Sequence, residues 1–311
     1  MDPLPLHAAA TSCVTIRIDF SDNPPKERIM NIDSLIGNTP LVKISDKIYA
    51  KLETYNPSGS IKDRMASYIL KKAEENGDLR PGYTIVEASS GNTGIAFSML
   101  AANKGYACIV VMPENMSEER KQMMKLYGAR IIEVGHNAFK EAIRVRNELV
   151  ANFGTYWSPK QFNNKYNIEC HRRTTAREIF DQTPEEISAL ISGSGTGGTI
   201  MGCHNFLSEK FPNMKTVLVK PLEPAETHGI QGINDGADFL CNMSKIDNVI
   251  EISTSEAKFR QARLAKETGL LVGFSAGANI LAAENWVKNN NPSGIVVTFL
   301  CDRGERYLSC V

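Results

Sequence analysis

The chain is expected to be an α/β protein of two domains, each a mostly parallel sheet flanked by helices. Two observations predict this. Short apolar runs (Thr84–Glu87, Ala107–Met112, Arg130–Val134, Ala189–Ile191, Thr216–Val219 and Gly294–Phe299) alternate with segments of helical period, the order that gives parallel strands joined by helical crossovers. Two small-residue loops, Ser89–Gly94 and Gly193–Thr199, directly follow two of those runs and lead into helical stretches, where parallel sheets bind ligands.

The first element in chain order is an alternating stretch, Val14–Phe20, of the kind a half-buried strand shows, broken by Asp22-Asn23-Pro24-Pro25. Residues 1–29 carry neither an apolar h-region before a small-residue cleavage site nor an arginine-rich amphipathic pattern, so they do not read as a targeting peptide. An added strand, a dimer arm and residues upstream of a later natural start all fit them. After Lys62, apolar residues at Met65, Ile69, Leu70 and Ala73 recur at helical spacing and Gly77 supplies a stop. Ser89–Gly94 follows the run ending at Glu87 and enters the helical stretch 95–103; its N–H groups there face outward at a positive dipole end. Gly193–Thr199 follows Ala189–Ile191 and opens the helical stretch 200–206, with glycines that let the backbone approach an anion.

Composition narrows the function. The chain has 311 residues, 42% of them hydrophobic, and no apolar run near ~18 residues, so it can bury a large core without a membrane span. Formal net charge is zero and the basic residues are dispersed, which makes nucleic acid a poor partner and a small molecule the expected ligand. The seven cysteines are widely spaced and never form a C-x-x-C pair, which suggests neither a disulfide framework nor a zinc site and points to a reducing cytoplasm. His171 and His204 each follow a cysteine, but adjacent residues on a helix point in different directions, so no metal is expected.

The chemistry starts at Asn56-Pro57-Ser58-Gly59-Ser60-Ile61-Lys62. A lysine just after a turn, at the mouth of a helix, is held by its backbone and can aim its amine at a bound aldehyde. The two loops downstream suit a carboxylate (89–94) and a phosphate (193–199), and together the three segments describe a pyridoxal phosphate site. A rival exists, because Gly193, Gly195 and Gly198 also satisfy G-x-G-x-x-G, the mark of a nicotinamide-linked dehydrogenase. That reading needs an acidic residue about 20 positions on, where Glu223 is the nearest strand-end candidate and lies farther away, and it leaves Lys62 and Ser89–Gly94 unexplained. A chain that binds ligand without turnover is the third reading, which the presence of Lys62 disfavours.

The three segments, in this order, together with Gly37-Asn38-Thr39-Pro40, Gln161-Phe162, Gly273-Phe274-Ser275-Ala276-Gly277 and Gly304-Glu305-Arg306-Tyr307, resemble those of the cysteine synthase and cystathionine β-synthase family. The resemblance runs from about Ile36 to Ser309. It implies a smaller mobile domain at 54–165, a larger cofactor-phosphate domain at 1–53 and 166–311, and the cofactor between them. It also implies β-replacement through an aminoacrylate, with Lys62 holding pyridoxal 5'-phosphate and then removing the α-proton. Burial would lower the lysine's pKa for that task. Gly195, Thr196, Gly197 and Thr199 would hold the phosphate, Asn92 the ring hydroxyl, and Ser89, Ser90, Thr93 and Gln161 the substrate carboxylate; Thr196 as a helix cap and Gln161 as a loop brace are the plainer alternatives. Ser275 would face the pyridine nitrogen, where a neutral hydroxyl makes a weaker electron sink than a carboxylate and suits β-elimination; otherwise it is a small residue in a packed turn.

The overall match implies cysteine synthase, with an activated serine and sulfide giving L-cysteine. The segment Cys301–Ser309 resembles forms that accept other sulfur donors or bulkier activated serines. Where many relatives read Ile-Gln-Gly-Ile-Gly-Ala-Gly, this chain reads Ile230-Gln231-Gly232-Ile233-Asn234-Asp235-Gly236. Asp235 is either a solvated turn residue or a general base that orients water or a thiol, which would turn the enzyme toward consuming L-cysteine, releasing hydrogen sulfide and forming serine or a thioether. Pro113–Arg120 is expected to move with the smaller domain and shield the reaction from water. A homodimer, and in some members the tail of serine acetyltransferase, are the partners the resemblance implies.

Overall fold

The computed structural model describes residues 31–224, 229–230, 232–233 and 240–310. Val14–Phe20, the rest of residues 1–29 and Asp235 therefore lie outside the described residues. Among those described there are two sheets. The first is six-stranded in the order β1 (Leu41–Lys43), β2 (Ile48–Leu52), β10 (Ile295–Leu300), β7 (Ile187–Gly193), β8 (Lys215–Pro221), β9 (Asn248–Ile252). It is parallel from β2 to β9, with β1 antiparallel on its edge. The second is a four-stranded parallel sheet in the order β5 (Arg130–Val134), β4 (Ala107–Pro113), β3 (Thr84–Ala88), β6 (Tyr156–Trp157).

All six apolar runs are strands of these sheets, and the α/β class with mostly parallel sheets holds. Their continuous apolar character has a direct cause: β10 is buried along its whole length and β7 and β4 nearly so, each covered by helices on both faces. The apolar sequence pattern does not mark β1, β2, β6 or β9. β9 is an edge strand and mostly exposed, and β2 contains Lys51, a charge buried between apolar neighbours. Its ammonium is satisfied by the Thr39 carbonyl, Gln182 and Glu178.

The helices between strands are α1 (Lys62–Asn76), α2 (Asn92–Lys104), α3 (Glu118–Leu126), α4 (Phe139–Asn152), α5 (Lys165–Arg173), α6 (Thr175–Gln182), α7 (Gly198–Lys210), α8 (Thr254–Thr268) and α9 (Phe274–Asn290), and a 3₁₀ turn, Gly304–Cys310, closes the described chain. α1 ends at Gly77 in the left-handed conformation, as its sequence predicts. α1 buries Met65, Ala66, Ile69, Leu70 and Ala73 against α2, so Lys62 sits at the start of a firmly packed helix. No helix among the described residues is long and apolar enough to cross a membrane.

Arg64 locks the start of α1. Its guanidinium meets Glu53 at 2.7 Å and Glu178 at 2.6 Å, and Glu178 also pairs with Lys51 at 2.7 Å. Taking these charges out of water is costly; the carboxylates around one guanidinium offset that cost and push the Arg64 pKa upward despite its burial. The network ties α1 to the turn after β2 and to α6.

Candidate active site

Four helices, α1, α2, α7 and α9, begin at one cavity, each with no side-chain cap on its first turn from the N-cap residue. Their opening residues Lys62, Asn92, Thr199 and Ser275 line it, together with Gly195, Thr196, Gly197, Asn279 and Cys301. All seven residues expected at the cofactor thus share one cavity. Four positive dipole ends and a glycine-rich loop facing one space favour an anion there.

Lys62 begins α1 at the cavity. Its backbone N–H bonds the Ser60 hydroxyl at 3.3 Å, and among the described residues its Nζ has no hydrogen bond or ion pair. Burial lowers the pKa of the amine, opposed by the nearby Cys301 and Asp302 side chains. An unpartnered amine whose charged form is disfavoured is suited to attack a carbonyl. Beside it, Asp63 caps its own turn by accepting from the Ser58 N–H at 2.6 Å and from the Ser58 hydroxyl.

The 193–199 loop is shaped for close approach. Gly197 has φ +87°, and a Cβ there would overlap the Cys241 backbone, so glycine is what lets the loop pack this closely on one side while it lines the cavity on the other. Gly193 N–H donates to Asn279 Oδ1 at 2.8 Å, while Asn279 Nδ2 donates to the Phe299 carbonyl at 3.1 Å. Asn279 thereby fastens the loop to α9 and β10. The Ser275 hydroxyl adjoins the Cys301 thiol, which burial pushes up to about 12.

The 89–94 loop is organised from within. Ser89 Oγ accepts from Gly91 N–H at 3.0 Å and Gly94 N–H at 2.9 Å, which leaves its hydroxyl hydrogen for an outside acceptor. Thr93 Oγ1 donates to Gln161 Oε1 at 2.7 Å, and Gln161 Nε2 donates to the Ala88 carbonyl at 3.1 Å. The Ser90 carbonyl accepts from Arg120 at 3.3 Å. Ser89, Thr93 and Gln161 are buried and Ser90 is half-buried, so this loop lies behind the cavity wall with part of its bonding already committed.

Asn92 is held more tightly than its sequence suggests. Its Nδ2 donates to Asp302 at 2.6 Å and its Oδ1 accepts from Arg306, while Asp302 also accepts from the Tyr307 hydroxyl. One Nδ2 hydrogen remains for a ligand. These C-terminal residues carry little signal of this in sequence, because the contact joins positions 210 residues apart. Glu223, the acid the dinucleotide reading required, instead receives Thr254 N–H at 2.8 Å and caps α8.

An aldehyde-bearing phosphate ester fits these residues: the amine, four helix starts and the hydroxyls of Thr196, Thr199 and Ser275 line one space, and the glycines admit the phosphate. The profile of the family described as pyridoxal-phosphate dependent enzyme matches residues 32–302. A cysteine synthase of Staphylococcus aureus is 40% identical over 299 residues, covering 90% of this chain and 95% of that protein. Among solved structures, the O-acetylserine dependent cystathionine β-synthase from Helicobacter pylori superposes with TM-score 0.85 at 32% identity, covering 91% of this chain and 98% of that one. A hydrogen sulfide-producing enzyme from Fusobacterium nucleatum does so with TM-score 0.84 at 36% identity, covering 89% and 99%. On the match and on the site, the chain belongs to the pyridoxal-phosphate-dependent enzymes of the cysteine synthase and cystathionine β-synthase type.

Proposed function

We propose that the chain catalyses β-replacement on an activated serine, with sulfide as the nucleophile and L-cysteine as the product. The observation that carries this is Lys62: an amine of lowered pKa, without a partner among the described residues, facing the glycine-rich loop and Ser275 across one cavity. The curated relative from S. aureus named cysteine synthase supports the choice of product.

Pyridoxal phosphate, when bound, supplies an electron sink for the pair left at Cα as the α-proton departs. The protein's residues do the rest. Lys62 would hold the cofactor and, as a free amine, would take the α-proton on Nζ, which requires the neutral form that burial favours. Gly195, Thr196, Gly197 and Thr199 would hold the phosphate, Asn92 the ring hydroxyl, and the Ser275 hydroxyl the ring nitrogen; these residues all line the cavity. Ser89, Ser90, Thr93 and Gln161 orient the substrate carboxylate, Ser89 and Gln161 by the hydroxyl and amide hydrogens their internal bonds leave over and Thr93 by bracing the Gln161 side chain. Residues 54–165 form the mobile unit that closes on the remainder and excludes water. The enzyme acts as a homodimer, as the family resemblance implies, and in a reducing cytoplasm, with which the buried free thiols of Cys108, Cys170 and Cys203 are compatible. Serine acetyltransferase is a candidate partner.

One specific comparison favours a second reading. The F. nucleatum neighbour is a hydrogen sulfide-producing enzyme, and Asp235 places a carboxylate in the segment 230–236. With Asp235 as general base, L-cysteine would be the substrate and sulfide the product. Absorbance of the purified protein separates the readings. A cofactor band lost in Lys62→Ala, a new band on adding O-acetylserine and little sulfide from L-cysteine support synthesis. Rapid sulfide release from L-cysteine that fails in Asp235→Asn supports the lyase. Absence of any band after adding pyridoxal phosphate overturns both.

A further inference from the structure

Helix α5 runs behind the 193–199 loop and presents two buried polar side chains one turn apart, Asn167 and His171, to two of that loop's three hydroxyls, those of Thr196 and Thr199. Asn167 Nδ2 lies 3.0 Å from the Gln161 carbonyl and 3.0 Å from Thr196 Oγ1. A carbonyl can only accept, so the atom facing it must be the amide nitrogen, and both of its hydrogens are then committed. Thr196 Oγ1 also receives Gly198 N–H at 3.2 Å. With both lone pairs of that oxygen occupied, Thr196 has only its hydroxyl hydrogen to offer, and Thr196 lines the cavity. Gly198 belongs to the same arrangement, because a Cβ there would overlap the Asn167 amide.

His171 poses the same question at the second hydroxyl. Its Nε2 is 3.2 Å from Thr199 Oγ1 and its Nδ1 is 2.9 Å from Thr175 Oγ1. Burial, with the charges of Arg64 and Lys62, holds the ring well below the usual histidine range, so it is neutral with one donor and one acceptor. In the Nε2–H tautomer the ring donates to Thr199 and leaves the threonine hydrogen for the cavity. In the Nδ1–H tautomer Thr199 must spend its hydrogen on the ring and turns lone pairs toward the cavity, which an anion would repel.

We propose that Asn167 and His171, the latter as the Nε2–H tautomer, are positioning residues that fix the Thr196 and Thr199 hydroxyls as hydrogen-bond donors toward the cofactor phosphate. This rests on the reading of Gly193–Thr199 as the phosphate loop. Because Asn167 also holds the Gln161 carbonyl, it sets the phosphate loop and the carboxylate-binding segment in one register; His171 acts on the phosphate side alone.

The test uses apoprotein titrated with pyridoxal phosphate, followed by absorbance for affinity and by phosphorus NMR for the bound phosphate. Asn167→Asp keeps shape but sets a carboxylate oxygen against the Gln161 carbonyl and Thr196; His171→Leu removes both ring bonds; His171→Gln restores a donor. Cofactor affinity is expected to fall by about tenfold or more in the first two, the worth of one strong hydrogen bond, with a changed phosphorus shift. His171→Gln should recover most of it, and Asn167→Asp alone should raise the amino-acid KM more than it lowers kcat. Nitrogen NMR of His171 in wild-type holoenzyme should show Nε2 protonated and Nδ1 bare, a measurement that needs no variant to fold. Wild-type affinity and phosphorus shift in both Asn167→Asp and His171→Leu, or an Nδ1–H ring, would overturn the proposal while the cofactor reading stands; a wild-type protein that binds no pyridoxal phosphate removes both.

Discussion

Lys62 carries a cost that its chemistry requires. Burial lowers the pKa of its amine from 10.5, so between the folded and unfolded values the unfolded chain binds the extra proton. The sign follows: apoprotein stability rises with pH through that window and levels off above about 10.5, the unfolded value. Lys62→Met should therefore be more stable than wild type as apoprotein at neutral pH, and the difference should shrink as pH approaches the unfolded value. Urea unfolding of both proteins at several pH values checks it, and equal stability at neutral pH would show the lysine to be unstrained. Gly197→Ala tests the loop, since its φ of +87° and the adjacent Cys241 backbone leave a methyl no room. It should cost about 1–3 kcal/mol of stability and abolish cofactor binding, read by thermal melting and absorbance. The placement of Lys62 and Gly197 at helix starts on one cavity was legible in sequence because it depends on local backbone: a turn before a helix, a glycine before a helix start. Asn167, His171 and Asp302 were not, because their partners come from segments 29, 28 and 210 residues away, and nothing in a local window shows which hydroxyl or amide a buried polar side chain will meet.

At the scale of elements, apolar runs reveal a strand only where both faces are buried. That condition is met by β10, β7 and β4, and fails for the exposed edge strand β9 and for β2 with its buried Lys51. What makes β2 viable is the ion network it shares with α1 and α6, and the network has a pH signature. Burial alone would raise the Glu178 pKa, yet its bonds to Arg64 and Lys51 hold it down to about 2 from 4.5. A carboxylate depressed in the folded state stabilises above its unfolded pKa and loses that contribution as pH falls toward the folded one. Glu178→Gln should therefore lose roughly 2 kcal/mol at neutral pH, less than the ~3–5 kcal/mol of a fully enclosed pair because one edge of Glu178 meets solvent. Its unfolding free energy should also depend less on pH between about 4.5 and 2, the window set by the pKa shift. Parallel acid titrations monitored by fluorescence would reveal a network without stabilising effect if the two curves kept a constant offset. The same substitution leaves Arg64 with Glu53 as its one carboxylate among the described residues, which loosens the start of α1 where Lys62 is mounted.

Across the whole molecule, the segment proposed to move is fastened to the C-terminal turn by contacts that a closing motion must make or break. Ser117 Oγ donates to the Arg306 carbonyl at 2.8 Å, Glu119 accepts from the Ser309 N–H at 2.8 Å and from its hydroxyl at 2.7 Å, and the Arg120 guanidinium lies 4.5 Å from the centre of the Tyr307 ring. The other side of the same turn reaches the site, since Arg306 and Tyr307 hold Asn92 and Asp302. Position of α3 and orientation of the Asn92 amide are therefore linked through seven residues, Gly304–Cys310. If residues 54–165 open and close, Ser117→Ala should favour the open form by about 0.5–1.5 kcal/mol, the net worth of one buried hydrogen bond. Hydrogen exchange in α3 and in the terminal turn should then accelerate by up to about tenfold. Exchange in β7 and β10, which form the core of the larger sheet, should not change. Substrate should slow the exchange of wild type more than that of the variant, because closure is what the lost bond supported. Uniform exchange in both proteins, with and without substrate, would make the turn a static brace and return the exclusion of water to the fixed walls of the cavity.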